Sequence, residues 1–219
     1  MESRRVLGVL AGTDIGMPSL IAWCSSADEV IAADGAANRL IQAGVNPHVI
    51  IGDLDSLDPS LTREGLTIVE DPDQETTDCD KLLGFVATSH PRTPLFLIGM
   101  EGDRFDHVLS SLHSVVRSNH PVHLVLRDGI GFLVRPHRPV SFATQRAQIV
   151  SILPILPCQG LETTGLRWTP DPKIAPGGST SASNEAIGAR ATVKLDGGVA
   201  LVIVQTNTTL PDWRLAHGF

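Results

Sequence analysis

The sequence predicts an α/β protein: an N-terminal domain on a mostly parallel, Rossmann-like sheet, then a small C-terminal all-β domain of sandwich or barrel-like character. Three observations carry this. Short apolar runs alternate with amphipathic segments through the first 135 or so residues. The alternation stops at Arg135-Pro136. Beyond it come short β-rich runs separated by turns such as Ala175-Pro-Gly-Gly178 and Asp196-Gly-Gly198. Strand–helix alternation implies parallel strands covered by helices, whereas closely spaced strands with turn signals build antiparallel sheets. The domains are accordingly set at 1–135 and 136–219.

In chain order, Val6–Ala11, Val30–Ala33, Val49–Ile51, Leu66–Val69, Leu95–Ile98 and Val122–Leu126 read as the strands of the first domain. Helices are expected at 35–43, 77–89 and 105–118. In the last, Val108, Leu109, Leu112, Val115 and Val116 recur at helical spacing. In the second domain, Ile149–Leu153, Ala191–Leu195 and Val199–Val204 read as strands, with no long amphipathic helix.

Length and composition exclude several classes. A chain of 219 residues with 42% apolar content can bury a real core, so disorder is not expected. No apolar stretch approaches the roughly 20 residues needed to span a bilayer. The apolar run after Met-Glu-Ser-Arg-Arg is short and closes at Thr13-Asp14, so it reads as a first strand rather than a signal peptide. Cys24, Cys79 and Cys158 are odd in number and far apart, which suits buried thiols in a reducing cytoplasm. A net charge of −7, uncompensated by any basic run, argues against general affinity for nucleic acid or acidic membranes. With only three lysines, a phosphate-bearing substrate would have to be handled by metal ions and a few placed cations.

The residues able to carry chemistry form four clusters, each after an expected strand. Ligands of open α/β sheets bind at the carboxyl ends of strands, so this placement matters. Asp34-Gly35 follows Val30–Ala33, where the aspartate also serves as a helix cap. Gly52-Asp53-Leu54-Asp55-Ser56 follows His48–Ile51. Aspartates at i and i+2 of extended chain project to one side, and the pair offers the hard oxygen ligands that Mg²⁺ takes. An Asp-rich turn is the other reading.

The third cluster, Asp71-Pro-Asp73-Gln74-Glu75-Thr-Thr77-Asp78-Cys-Asp80-Lys81, gathers five acids around one lysine. Asp78 and Lys81, three apart at a helix start, share a face. A capping cluster with a surface ion pair accounts for the same residues; a metal ligand and a phosphate contact is the functional reading. In the fourth, Gly99-Met-Glu-Gly102-Asp103-Arg104-Phe105-Asp106-His107, a glycine-containing turn enters a helix, an arrangement that presents backbone N–H groups to anions. Arg104 can add a bidentate phosphate contact, and His107 reads either as a helix-start histidine or as a catalytic one.

The acids at this edge favour a metal. A carboxylate about 4 Å from a phosphate charge is repelled by roughly 4 kcal/mol at an effective dielectric near 20. No Gly-x-x-x-x-Gly-Lys-[Ser/Thr] occurs, which removes the P-loop NTPases, and no Gly-x-Gly-x-x-Gly follows the first strand.

In this order the four segments resemble the thiamine pyrophosphokinase family, whose pattern runs Asp-Gly, Gly-Asp-[Phe/Leu]-Asp-Ser, Asp-Gln-Asp-x-Thr-Asp-x-x-Lys and Gly-Gly-Arg-x-Asp-His. Each segment alone is weak, and the ordered set is specific. Gly165-Leu-Arg-Trp168 and Ser181-Ala-Ser183-Asn184-Glu185 look like the family's thiamine-contacting segments. Two departures stand out: Glu75 where the family usually has Asp, and Asp103 in place of the second Gly before Arg104.

The resemblance implies transfer of a diphosphate from ATP to the hydroxyl of thiamine, in a cytoplasmic homodimer with active sites between subunits. Asp53, Asp55 and Asp78 would hold Mg²⁺, and Lys81 and Arg104 would neutralise charge on the transferred group and on AMP. Asp106 would orient the thiamine hydroxyl or support Arg104. Asp34, Gly52, Ser56, Asp73, Gln74, Thr77, Gly102 and His107 would complete the nucleotide and metal site. Trp168 would stack on the pyrimidine, with Ser183 and Asn184 hydrogen-bonding the same substrate. Rival readings are a pterin pyrophosphokinase of related fold, an Asp-x-Asp nucleotide-sugar transferase, and a non-catalytic thiamine or nucleotide sensor.

Overall fold

The computed structural model describes residues 4–13, 15–58, 60, 65–102 and 104–213. They form two compact units. The first runs to Arg127 and takes back Thr208–Pro211; the second holds Asp128–Asn207.

The first unit contains β1 (Val6–Val9), α1 (Met17–Ser26), β2 (Glu29–Ala33), α2 (Asp34–Gln42), β3 (Val49–Gly52), β4 (Thr67–Glu70), α3 (Asp78–Ser89), β5 (Leu95–Ile98), α4 (Phe105–Arg117) and β6 (Val122–Leu126). Its strands lie in the order β6-β5-β1-β2-β3-β4. All five pairings are parallel. Strands β1, β2, β3, β5 and β6 are buried along their whole length, which is why they read as continuous apolar runs, whereas the edge strand β4 is partly exposed. From β1 the chain builds outward through β2, β3 and β4, then returns to add β5 and β6 on the other side. The strand order therefore reverses between β1 and β5, and a crevice opens at the carboxyl ends of strands at such a switch point.

Helices α2, α3 and α4 stand where helices are expected, at 35–43, 77–89 and 105–118. Helix α1 was not expected. It starts with Pro18 at its first turn and no side-chain cap, and contains no charged residue, so no polar face marks it. Leu20, Trp23 and Cys24 are its buried residues.

The second unit contains β7 (Gly129–Val134), β8 (Val140–Ala143), β9 (Ile149–Gln159), β10 (Glu162–Thr164), β11 (Ser181–Glu185), β12 (Arg190–Lys194) and β13 (Gly197–Gln205). Two antiparallel sheets result, β11-β9-β13-β7 and β10-β12-β8. Their inward side chains, among them Phe132, Phe142, Ile152, Val193 and Val202, share one core, with the two phenylalanines edge to face at 5.2 Å. Strand β9 runs six residues beyond Leu153, through Pro154 and Pro157, and its register against β13 shifts near Val199. Proline is tolerated at such bulges. Among the described residues no helix is long and apolar enough to cross a membrane.

The returning segment is tied to the first unit by Thr208. Its carbonyl accepts the Trp23 indole N–H at 2.8 Å, and its hydroxyl donates to the Leu126 carbonyl at 2.9 Å. Trp23 is 1% exposed. Trp23→Phe keeps an aromatic ring but leaves the Thr208 carbonyl without this donor. The expected loss of unfolding free energy is roughly 1–3 kcal/mol, read from urea denaturation. Unchanged stability would remove this tie as a structural element.

Candidate active site

The site begins with Asp34, the first residue of α2, which is only 1% exposed. One of its oxygens accepts the Gly35 N–H at 2.6 Å and the other the Leu54 N–H at 2.9 Å. Leu54 has a φ of 67°, a left-handed conformation that costs a non-glycine residue about 1–2 kcal/mol. The Asp34 carboxylate thus holds the turn that carries Asp53 and Asp55 out of β3. Gly52 permits this approach, since a β-carbon there would lie 2.6 Å from Asp34 Cγ.

Oxygen atoms of Asp34, Asp53 and Asp55 lie within 4.8 Å of one another, the one such acidic group among the described residues. Asp53 also receives the Gln74 Nε2 donor at 2.9 Å and Lys81 Nζ at 3.4 Å. The Lys81 side chain is 2% exposed. Hydrogen bonds from Gln74 and from the Asp55 backbone, aided by Lys81, hold Asp53 down at about 2. Asp34 and Asp78 behave oppositely. Burial raises the pKa of Asp34, and Asp53 and Asp55 add to the rise. Burial likewise raises Asp78, and its proximity to Asp34 adds to that.

Helix α3 brings Asp78 and Lys81 to this place. Thr77 caps it: its hydroxyl receives the Asp80 N–H at 3.2 Å, while its own N–H donates to Asp80 Oδ2 at 3.1 Å. Asp80 is held in turn by Arg117 of α4 at 2.7 Å. The capping reading of this segment is therefore real, and it coexists with the convergence of Asp78 and Lys81 on Asp53.

A cavity of about 440 Å³ opens beside the acids. Its walls include Leu10–Thr13 after β1, Gly99 and Met100 after β5, Thr76–Cys79 and Lys81, and Gly102, Arg104, His107, Ser110 and Ser111. It lies at the β1/β5 switch point. Gly99 has a φ of 82°, and a side chain there would collide with the Leu10 carbonyl.

Of the residues singled out from sequence, Asp53, Thr77, Asp78, Lys81, Gly102, Arg104 and His107 line this cavity. Asp34, Gly52, Asp55 and Gln74 support it through the contacts above. Ser56 donates to Asp55 Oδ1 at 3.0 Å. Asp73 accepts the Glu75 N–H at 2.9 Å and is solvent-exposed, as is Glu75. Asp106 pairs with Arg104 at 2.6 Å, both side chains being largely exposed, and this hydrogen bond lowers the Asp106 pKa. Asp103 lies outside the described residues. Sequence reasoning missed the β1 turn, Ser110 and Ser111; the carboxyl-end rule applied to β1, and helical spacing from His107, would have reached them.

In the second unit, Trp168 is 50% exposed and carries the Arg167 guanidinium 4.8 Å above its ring. Asn184 is buried, and its carboxamide is engaged on both sides. Its oxygen accepts the N–H groups of Trp168 and Glu185, and its nitrogen donates to the Trp168 carbonyl and Ser181 Oγ. Ser183 is exposed, with a φ of 55°.

The donor set fits a hard divalent cation. Three carboxylates converge, and a fourth, Asp78, is half-buried beside them at an electrostatic cost that such a cation would relieve. In its absence, Asp78 should weaken the fold. Its folded pKa exceeds the unfolded one, so ionisation costs stability above the folded pKa, and the cost fades as pH falls toward about 4. Asp78→Asn is therefore expected to melt at a higher temperature than the wild type near neutral pH without divalent cation, the gap closing in acid. Differential scanning fluorimetry across pH checks this, and a lower melting temperature for Asp78→Asn near neutrality would contradict it.

Comparison with known proteins bears on both units. Residues 21–126 match the family model described as thiamin pyrophosphokinase, catalytic domain. Residues 140–200 match the one described as thiamin pyrophosphokinase, vitamin B1 binding domain. Thiamine pyrophosphokinase 1 of Oryza sativa subsp. japonica is 27% identical over 185 residues, spanning 70% of each chain. Thiamine pyrophosphokinase 2 of Arabidopsis thaliana is 29% identical over 212 residues, 83% of this chain and 79% of the relative. The crystal structure of thiamine pyrophosphokinase from Bacillus subtilis superposes with a TM-score of 0.76 at 22% identity, over 92% of this chain and 99% of that one. The yeast thiamin pyrophosphokinase structure gives 0.76 at 19% identity, over 99% and 89%. At these identities the structural likeness establishes the fold.

Proposed function

This chain belongs to the thiamin pyrophosphokinase family, and we propose that it transfers the β- and γ-phosphates of ATP to the hydroxyl of thiamine, giving thiamine diphosphate and AMP. The observation that carries this reading is the convergence of Asp34, Asp53, Asp55 and Asp78 with Lys81 beside the switch-point cavity. That is an arrangement for polyphosphate with a divalent cation.

Bound Mg²⁺ would draw charge from the phosphate oxygens and so stabilise the transferring group. Asp53, Asp55 and Asp78 would hold it, with Asp34 fixing the turn between the first two. Gln74 keeps the Asp53 carboxylate oriented and ionised. Lys81, buried and preorganised, faces charge developing on the transferred group. Arg104 lines the cavity and is held by Asp106, which supports the supporting role for Asp106 over direct contact with the hydroxyl. A loose phosphoryl-transfer transition state asks little of the nucleophile, so no strong general base is required.

In the second unit, the exposed Trp168 face would receive the pyrimidine of thiamine, with Asn184 fixing the backbone that presents it. We further propose a cytoplasmic homodimer with active sites between subunits.

AMP release from ATP and Mg²⁺, with and without thiamine, tests the activity, the product being checked by mass. Release with hydroxymethylpterin but not thiamine would move the chain to the pterin reaction, and thiamine binding without release would make it a sensor. Asp55→Asn is expected to lower kcat by at least about a hundredfold, the scale of one lost transition-state contact, with the circular-dichroism spectrum unchanged. Wild-type turnover in that variant would remove Asp55 from the metal site. Trp168→Ala is expected to raise the thiamine KM by about tenfold, equivalent to ~1.4 kcal/mol of lost stacking and burial, leaving the ATP KM in place. Equal rises in both constants would rule out a thiamine-specific role.

A further inference from the structure

The loop carrying Asp53 and Asp55 is gripped from behind by a residue that does not line the cavity. Asn38 Nδ2 donates to the Ser56 carbonyl at 2.6 Å, and Asn38 Oδ1 accepts the Asp58 N–H at 2.9 Å. Four residues earlier on α2, Asp34 accepts the Leu54 N–H. Positions i and i+4 of a helix share a face, so this face holds the loop at residues 54, 56 and 58. Within the loop, the Leu57 N–H reaches the Leu54 carbonyl only at 3.4 Å. Its shape depends on α2.

Only a carboxamide of this length meets both demands, one acceptor and one donor on backbone groups two residues apart. We propose that Asn38 is a positioning residue for the Asp53 and Asp55 carboxylates, setting divalent-cation affinity through the loop backbone. The inference rests on the metal reading above. Like charges gathered within a few ångströms separate when their backbone is released, and a loosened ligand set binds its cation less well. Loss of outer-shell support of this kind typically costs about 10–100-fold in metal affinity.

The test is Mn²⁺ binding to the nucleotide-free protein, followed by electron paramagnetic resonance, beside kinetics at varied Mg²⁺. Asn38→Ala is suited to it because alanine is the best helix former, so α2 survives; Asn38→Leu, which preserves volume, is the second variant. Both are expected to weaken Mn²⁺ binding by roughly tenfold or more, and to recover kcat at high Mg²⁺ because the carboxylates remain. Leu40→Ala, in the buried core of the same helix, is expected to lower the melting temperature at least as much while leaving Mn²⁺ affinity unchanged. Wild-type Mn²⁺ affinity in the Asn38 variants, or equal weakening in Leu40→Ala, would overturn the inference. Asp55→Asn, titrated in parallel, separates the two layers: if it binds Mn²⁺ as the wild type does, the metal reading itself has failed.

Discussion

Mutual repulsion among the acids at the carboxyl edge of the parallel sheet is the constraint to which the first unit is built. Asp34, Asp53 and Asp55 are held within 4.8 Å of one another, and Asp78 is close enough that Asp34 raises its pKa. Left to themselves, such groups separate or take up protons. Here each is tethered through backbone: Asp34 by two N–H donors, Asp53 and Asp55 by a left-handed turn at Leu54, and Asp78 by a capped helix start. Lys81 supplies buried opposite charge against Asp53. The local structure thus works against its own electrostatics, which is intelligible where a cation and a polyphosphate complete the charge balance.

The topology explains why these tethers meet. Because the strand order reverses between β1 and β5, a crevice opens at the carboxyl ends of those two strands. The turn after β3, the start of α3 and the start of α4 all reach this crevice. Close backbone approach is part of the design. Gly52 lets Asp34 lie against β3, and Gly99 lets the β5 turn pass the Leu10 carbonyl. A methyl group at either position would push apart the loops that the acids need close.

What was legible in the sequence follows from which signals are local. Strands buried on both faces announce themselves as apolar runs, so β1, β2, β3, β5 and β6 were readable; α2, α3 and α4 carry polar faces and acids in their first turns. Helix α1 carries no charge and no side-chain cap, so its ten residues present no periodic contrast. Strand β9 outruns the apolar run Ile149–Leu153 because it continues through Pro154 and Pro157, which the bulged register against β13 accommodates. At the site, the carboxylates and Lys81 were visible because residue type and strand-end position coincide. Ser110, Ser111 and Leu10–Thr13 after β1 carry no charged side chain, so only their position, one helical turn beyond His107 and at the carboxyl end of β1, points to the cavity they line. Asn38 was invisible for a related reason: an asparagine inside a helix reads as neutral until the loop it holds is seen.

The two buried carboxamide-and-carboxylate anchors, Asp34 in the first unit and Asn184 in the second, solve the same physical problem. Each is almost fully buried and hydrogen-bonded to backbone, which turns a polar side chain that would be costly alone into a fixed strut. Asp34 fixes the turn that carries Asp53 and Asp55. Asn184 clamps the backbone on both sides of Trp168, so that an indole stands half in solvent under a guanidinium. A large aromatic half exposed in this way forgoes much of the burial available to its side chain. Its position is therefore imposed by the Asn184 hydrogen bonds, and it leaves a flat apolar face available, as the acids leave a charged one.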